Sequence, residues 1–122
     1  MAPSTSEESA GSVERSSTDE LAPLAARSLT VLFDVSNKCN LRCRMCYFAY
    51  DSVFHRRAQY MTPETFERIA RPLLPLARTL FLSAGSESFT NPHFLRILRA
   101  AARYGVGEVK LLTNAILIGE TE

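Results

Sequence analysis

Leu29-Thr-Val-Leu-Phe-Asp-Val-Ser36 runs directly into Asn37-Lys-Cys39-Asn-Leu-Arg-Cys43-Arg-Met-Cys46, and the junction of these two segments decides how the chain is read. The first segment is apolar and β-branched, with Val31, Phe33 and Val35 on one face of a period-2 pattern, which predicts a strand. The second opens a polar loop at Asn37 and places three cysteines within eight residues. Further on, Thr62-Pro63 offers a capping hydroxyl and a proline at the first helical position, and Phe66, Ile69, Ala70 and Leu73 recur at helical spacing. Pro72 and Pro75 each lack a backbone donor, so this helix is expected to stop near Arg71, with 72–77 forming a separate turn. Thr79-Leu-Phe-Leu-Ser83 predicts a second strand. Asn91-Pro92 repeats the cap-and-proline signal, Phe94, Ile97, Leu98 and Ala101 form a helical stripe, and Gly105 is the expected stop. Glu108-Val-Lys-Leu-Leu-Thr113 predicts a third strand. The order β-α-β-α-β implies an α/β fold with a parallel sheet and right-handed crossovers. No helix is read after Thr113, so the third strand is expected to be an exposed edge.

A chain of 122 residues is one small domain or a piece of a larger one. Hydrophobic residues at 46% and charged residues at 22% exclude disorder of the whole chain. The apolar runs are too short for a membrane helix, and no Lys/Arg-led apolar stretch suggests a secretory signal. Three cysteines in one cluster do not make a disulfide framework; they point to a reducing, cytoplasmic setting and a metal or redox site. Residues 1–27, rich in Ser, Thr, Glu and Ala, read as a disordered leader to an ordered unit at 28–122. Charge divides at the same place: residues 1–20 hold five acids against Arg15, while the rest is mildly basic. Those bases are scattered, so nucleic acid is not indicated. Tyr47, Phe48, Tyr50, Phe54 and Tyr60 around Arg56-Arg57 are expected to pack a long loop rather than stack on bases.

The cysteines have the spacing C-x3-C-x2-C. Three thiolates on one loop can bind three irons of a four-iron cluster and leave the fourth open to a ligand. With its Cys-Asn-Leu-Arg-Cys opening and Cys-Tyr-Phe close, the loop resembles that of the radical S-adenosylmethionine (radical SAM) enzymes. The second strand end, Gly85-Ser86-Glu87-Ser88, resembles the family's Gly-Gly-Glu-Pro, with Ser86 and Ser88 in place of glycine and proline. The third, Thr113-Asn114-Ala115, resembles Thr-Asn-Gly.

The resemblance implies a partial (β/α)6 TIM-like barrel, of which this chain would supply the first half as a truncated unit. It implies Cys39, Cys43 and Cys46 as ligands of a 4Fe-4S cluster whose open iron takes S-adenosyl-L-methionine. Reductive cleavage of that cofactor would give a 5′-deoxyadenosyl radical able to abstract hydrogen from a substrate C–H bond. Tyr47, Gly85, Ser86, Glu87 and Asn114 would contact the cofactor: Tyr47 through the Met45–Tyr47 stretch against adenine, Glu87 through the methionine ammonium. An external one-electron reductant of flavodoxin or ferredoxin type is also implied, and the look of the cluster loop suggests a peptide substrate. Two other readings stand beside this one: an inactive remnant, or a non-catalytic iron–sulfur or zinc module, with Asp51, His55 or His93 as a fourth zinc ligand. Asp34, opposite in phase to Phe33 and Val35, is expected to face substrate or to pair with an arginine.

Overall fold

The structure is a computed structural model that describes residues 23–120. Three strands, β1 (Leu29–Leu32), β2 (Ala77–Phe81) and β3 (Glu108–Lys110), form one parallel sheet in the order β1-β2-β3. The connections carry a short helix α1 (Asp51–Phe54), then α2 (Pro63–Leu73), and between β2 and β3 the helix α3 (Phe94–Ala102). The result is α/β with parallel crossovers, a partial β/α unit rather than a closed barrel.

Val31, Phe33 and Val35 share one face as the alternation predicts, and Phe33 and Val35 are buried with Leu80 and Leu82 of the second strand segment. Phe66 and Ala70 of α2 and Phe94, Ile97 and Ala101 of α3 cover that face, so one apolar core lies between the sheet and two helices. The opposite face carries no helix among the described residues, and every residue of β3 is exposed.

The ladders are shorter than the sequence pattern suggests. Pairing outlasts each strand by one bond, Phe33 N–H to Phe81 O at 2.8 Å and Leu82 N–H to Lys110 O at 3.0 Å, and then side chains take over. The Ser83 hydroxyl donates to Leu112 O (2.6 Å) and accepts from Leu112 N–H (2.9 Å), standing in for a peptide group. Helix α2 passes the expected stop at Arg71 and ends at Leu73, followed by a 3-10 turn at Leu74–Leu76. Pro72 is tolerated because it lies in the last turn, where the carbonyl it deprives belongs to exposed Arg68. Thr62 caps this helix as expected, accepting from Thr65 N–H at 3.2 Å. Gly105 ends the segment after α3 at φ +59°, a left-handed conformation that favours glycine.

Of the leader read over 1–27, residues 1–22 lie outside the described residues. Residues 23–26 are exposed. Arg27 is buried and donates to Tyr104 O (3.3 Å) and Gly105 O (2.9 Å), serving the carbonyls at the end of α3.

Candidate functional site

The cysteine loop leaves β1 at the C-terminal edge of the sheet and is anchored at its base by Asn37. The Asn37 amide donates to Arg57 O (2.9 Å) and accepts from Gln59 N–H (2.8 Å). A second anchor is Phe54 of α1, whose ring lies 4.6 Å from the Arg42 guanidinium and 5.9 Å from the Lys38 ammonium. Arg42 also pairs with Asp51 at 2.5 Å and donates to Ala49 O at 2.8 Å. The Arg42 hydrogen bond holds the Asp51 carboxyl below the usual carboxylate range. Cys46 N–H donates to Cys43 O (2.9 Å), turning the chain so that the second and third cysteines lie close in sequence and in space. All three thiols are free; Cys43 is exposed, and Cys39 and Cys46 are half-buried.

The turn after β2 approaches this loop closely. Asp34 Oδ1 accepts from the backbone N–H groups of Ala84 and Gly85, both at 3.0 Å. The Tyr47 hydroxyl donates to Gly85 O at 2.6 Å. Burial, and then the Asp34 carboxylate, push the Tyr47 phenol above its ordinary value, so it stays a donor. A Cβ at Gly85 would meet Tyr47 Oη at 3.0 Å and Asp34 Oδ2 at 3.6 Å, which explains a glycine here. Ser86 donates its hydroxyl to Ser36 O, so the residue that replaces the second glycine of the motif is bonded back to the end of β1.

Glu87 is 3% exposed and joins the second strand end to the third. Its carboxylate accepts from Phe89 N–H (3.2 Å), the Thr113 hydroxyl (2.9 and 3.0 Å) and Asn114 N–H (2.9 Å). Asn114 donates to Asn40 Oδ1 at 2.8 Å and stands 4.0 Å from Cys39 Sγ, while Leu41 N–H donates to the same sulfur at 3.5 Å. Ala115 has φ +63°, the left-handed conformation for which glycine would be the ordinary choice.

Cys39, Cys43 and Cys46 line one open depression of about 500 Å³ together with Tyr47, Gly85, Ser86, Glu87 and Asn114. All eight residues nominated from the sequence therefore converge. A larger groove of about 960 Å³ lies between α2 and α3 and contains none of them. Met45 is fully exposed. Two of the fourth-ligand candidates for zinc are otherwise engaged: Asp51 pairs with Arg42, and His55 Nδ1 sits 3.1 Å from Asp51 O. Among the described residues no three His, Cys, Asp or Glu side chains converge on a point fit for a single metal ion. Thiolates that each hold a different iron of a cluster need no such convergence, so three free thiols on one open loop fit a cluster better than a lone zinc.

Sequence reasoning set Asp34 against substrate or an arginine; the structure instead gives its carboxylate to backbone amides. It passed over Thr113 as a partner of Glu87, and it read Asn91-Pro92 as the cap and first residue of a helix, whereas α3 begins at Phe94 with His93 at its N-cap and no side-chain cap bond. Asn91 accepts from His93 N–H (2.8 Å), and its buried amide also donates to Val35 O (2.7 Å) and Met61 O (2.9 Å). A polar residue following an apolar strand was the available signal for Asp34 and Thr113, whereas Asn91 follows the turn Ser88–Thr90 and carried none.

The chain is a partial parallel α/β unit with three thiols and a glycine turn at the C-terminal edge of its sheet, the edge at which folds of this class place their ligand sites. The chain belongs to the Radical SAM superfamily, whose sequence pattern matches residues 33–121. It is also similar to a GTP 3',8-cyclase of Marinobacter nauticus, 30% identical over 84 residues that make up 69% of this chain and 25% of that relative. The chain thus spans about a quarter of the length of that enzyme. No solved structure gives a significant match.

Proposed function

We propose that this chain holds a 4Fe-4S cluster through Cys39, Cys43 and Cys46 and binds S-adenosyl-L-methionine beside it, as the cofactor-binding part of a radical SAM enzyme. The observation that carries the reading is the convergence of the cysteine loop, the Gly85–Glu87 turn and the Thr113–Asn114 strand end on one depression. Such a centre supplies one-electron cleavage of the cofactor's sulfonium to methionine and a 5′-deoxyadenosyl radical, which takes hydrogen from a substrate C–H bond.

The chain's own residues then have distinct tasks. The N–H of Leu41 and the Asn114 amide lie against Cys39 sulfur, where hydrogen bonding tunes a cluster's potential. Gly85 leaves room for a ligand to approach the backbone. A carboxylate has about four acceptor sites. Phe89, Thr113 and Asn114 occupy Glu87, with the Thr113 hydroxyl within reach of both oxygens, so a cofactor ammonium would bind there by taking over one of the Thr113 contacts. Tyr47, its hydroxyl fixed on Gly85 O, offers its ring as a wall of the depression. An external flavodoxin- or ferredoxin-type donor supplies the electron.

Electron paramagnetic resonance of the anaerobically reconstituted, reduced chain, with and without S-adenosylmethionine, tests the proposal. The expected result is a four-iron signal that changes on adding the cofactor and is absent from Cys43→Ala. A signal indifferent to the cofactor, or stoichiometric zinc without iron, refutes it.

A further inference from the structure

Asp34 lies on β1's continuation, on the sheet face turned away from the helices, and its carboxylate reaches across to the β2 turn. One oxygen, Oδ1, accepts from two successive backbone amides, Ala84 and Gly85, at 3.0 Å each, with the Ser86 hydroxyl 3.5 Å away. Two converging N–H groups on one carboxylate oxygen fix the plane of the peptides that carry them more tightly than either bond alone. The other side of the same residue is held as well, since Tyr47 donates to Gly85 O at 2.6 Å. Gly85 is thus clamped by its N–H and its carbonyl, by side chains from two different segments. Ser86 adds a third tie, to Ser36 O.

We propose that Asp34 is a positioning residue for cofactor binding: through the Ala84 and Gly85 amides it sets the turn that presents Gly85 and Glu87 to the depression. This rests on the proposed radical SAM reading. Glycine is the residue least able to hold such a turn by its own backbone preference, so an external clamp has a definite task here. Ser86, where the motif has glycine, belongs to the same clamp: its hydroxyl donates to Ser36 O, on the segment after β1 that bears Asp34. The role needs an acceptor at Oδ1 rather than a charge, which separates it from direct contact between Asp34 and a cationic ligand. An asparagine keeps the acceptor; an alanine does not.

The test uses the full, cluster-loaded chain with two readouts: hydrogen exchange at the Ala84 and Gly85 amides, and the S-adenosylmethionine concentration that half-converts the reduced cluster's paramagnetic signal. Loss of hydrogen bonds to a carboxylate at a partly solvated site predicts that Asp34→Ala exchanges these amides about tenfold faster and binds the cofactor about five- to tenfold more weakly, with iron content unchanged. Asp34→Asn is expected about two- to threefold from the parent in both readouts, nearer to it than Asp34→Ala, because its carbonyl replaces Oδ1 while the bonds lose their charge. Unchanged exchange in Asp34→Ala overturns the clamp, and faster exchange with unchanged affinity overturns its role in binding. An Asp34→Asn affinity as poor as that of Asp34→Ala makes Asp34 a charge contact and overturns the proposal. If Asp34→Ala does not fold, Asp34→Ser, whose hydroxyl falls one bond short of the Oδ1 position, decides: faster Gly85 exchange with weaker binding supports the clamp, and parent-like values refute it. A parent chain that takes up the cluster and ignores the cofactor refutes the functional reading itself, and the exchange data still decide whether the clamp exists.

Discussion

Glu87→Gln separates a ligand that merely faces a cofactor from a brace that holds two strand ends together. The carboxylate receives a backbone N–H on each oxygen, Phe89 on one and Asn114 on the other, and the Thr113 hydroxyl reaches both. Glutamine keeps one acceptor oxygen and replaces the other with a donor. Whichever way the amide turns, it points N–H at N–H toward Phe89 or Asn114, at a side chain only 3% exposed. Leaving one such amide unpaired costs about 1–3 kcal/mol, and turning charge-assisted bonds into neutral ones costs about 1 kcal/mol more. The sum, about 2–4 kcal/mol, is a large part of the roughly 5–15 kcal/mol that holds a domain of this kind folded. Urea unfolding followed by far-ultraviolet circular dichroism should therefore show the midpoint falling by about 1–3 M. Coincident midpoints for parent and variant would refute the brace and leave Glu87 as a cofactor ligand alone.

Asn91→Asp should destabilise by about 2–4 kcal/mol in the same assay, because it sets a carboxylate oxygen against Val35 O and Met61 O where an amide now donates. Acidification, by protonating the new carboxyl, should recover part of that loss. Ala115→Gly should raise stability by about 0.5–1 kcal/mol, since φ +63° strains alanine by more than glycine's added unfolded-state entropy costs; a lower thermal midpoint would contradict this. Glu67 ties α2 to α3 through Tyr104 and Arg103, and those hydrogen bonds, Tyr104's first, hold its carboxyl below its ordinary value. Its folded-state pKa being depressed, the stabilisation is present above the unfolded carboxylate value and lost as pH falls through the folded one. Glu67→Gln should cost about 1 kcal/mol at neutral pH and flatten the acid side of the stability profile.

The order of strands and helices was legible because each carries its own local signal. Val31, Phe33 and Val35 alternate, Thr62-Pro63 caps, and Gly105 occupies a conformation that other residues avoid. The eight residues that line one depression were nominated for another reason: their resemblance to a known motif, not any physical property of a single position. What the pattern did not disclose were the partners. Asp34 and Asn91 bind backbone groups about 50 residues away in sequence, and no local rule says which carbonyl or amide a polar side chain will find after folding. Strand ends were overestimated for the same reason. Leu111 and Leu112 look like strand residues, yet the Ser83 hydroxyl has taken the place of the next ladder bond.

These partners fall in one region, and the short ladders explain why. Parallel pairing holds β3 through only Glu108, Val109 and Lys110, so the sheet itself cannot fix the chain beyond Lys110, where the site begins. Asp34 and Ser36 bind the β2 turn, Ser83 and Glu87 bind the segment after β3, and Asn114 returns to Asn40 in the cysteine loop. Each tie crosses from one strand end to another, and neighbouring ends share more than one: Asp34 and Ser36 on the β2 turn, Ser83 and Glu87 on the segment after β3. Such a chain of bonds makes the three segments depend on one another. A break at Glu87 frees the 113–114 segment from the β2 turn, and through Asn114 it loosens the loop that bears Cys39. The polar residues that follow the strands therefore act as the sheet's continuation, built from side chains where the strand backbones diverge.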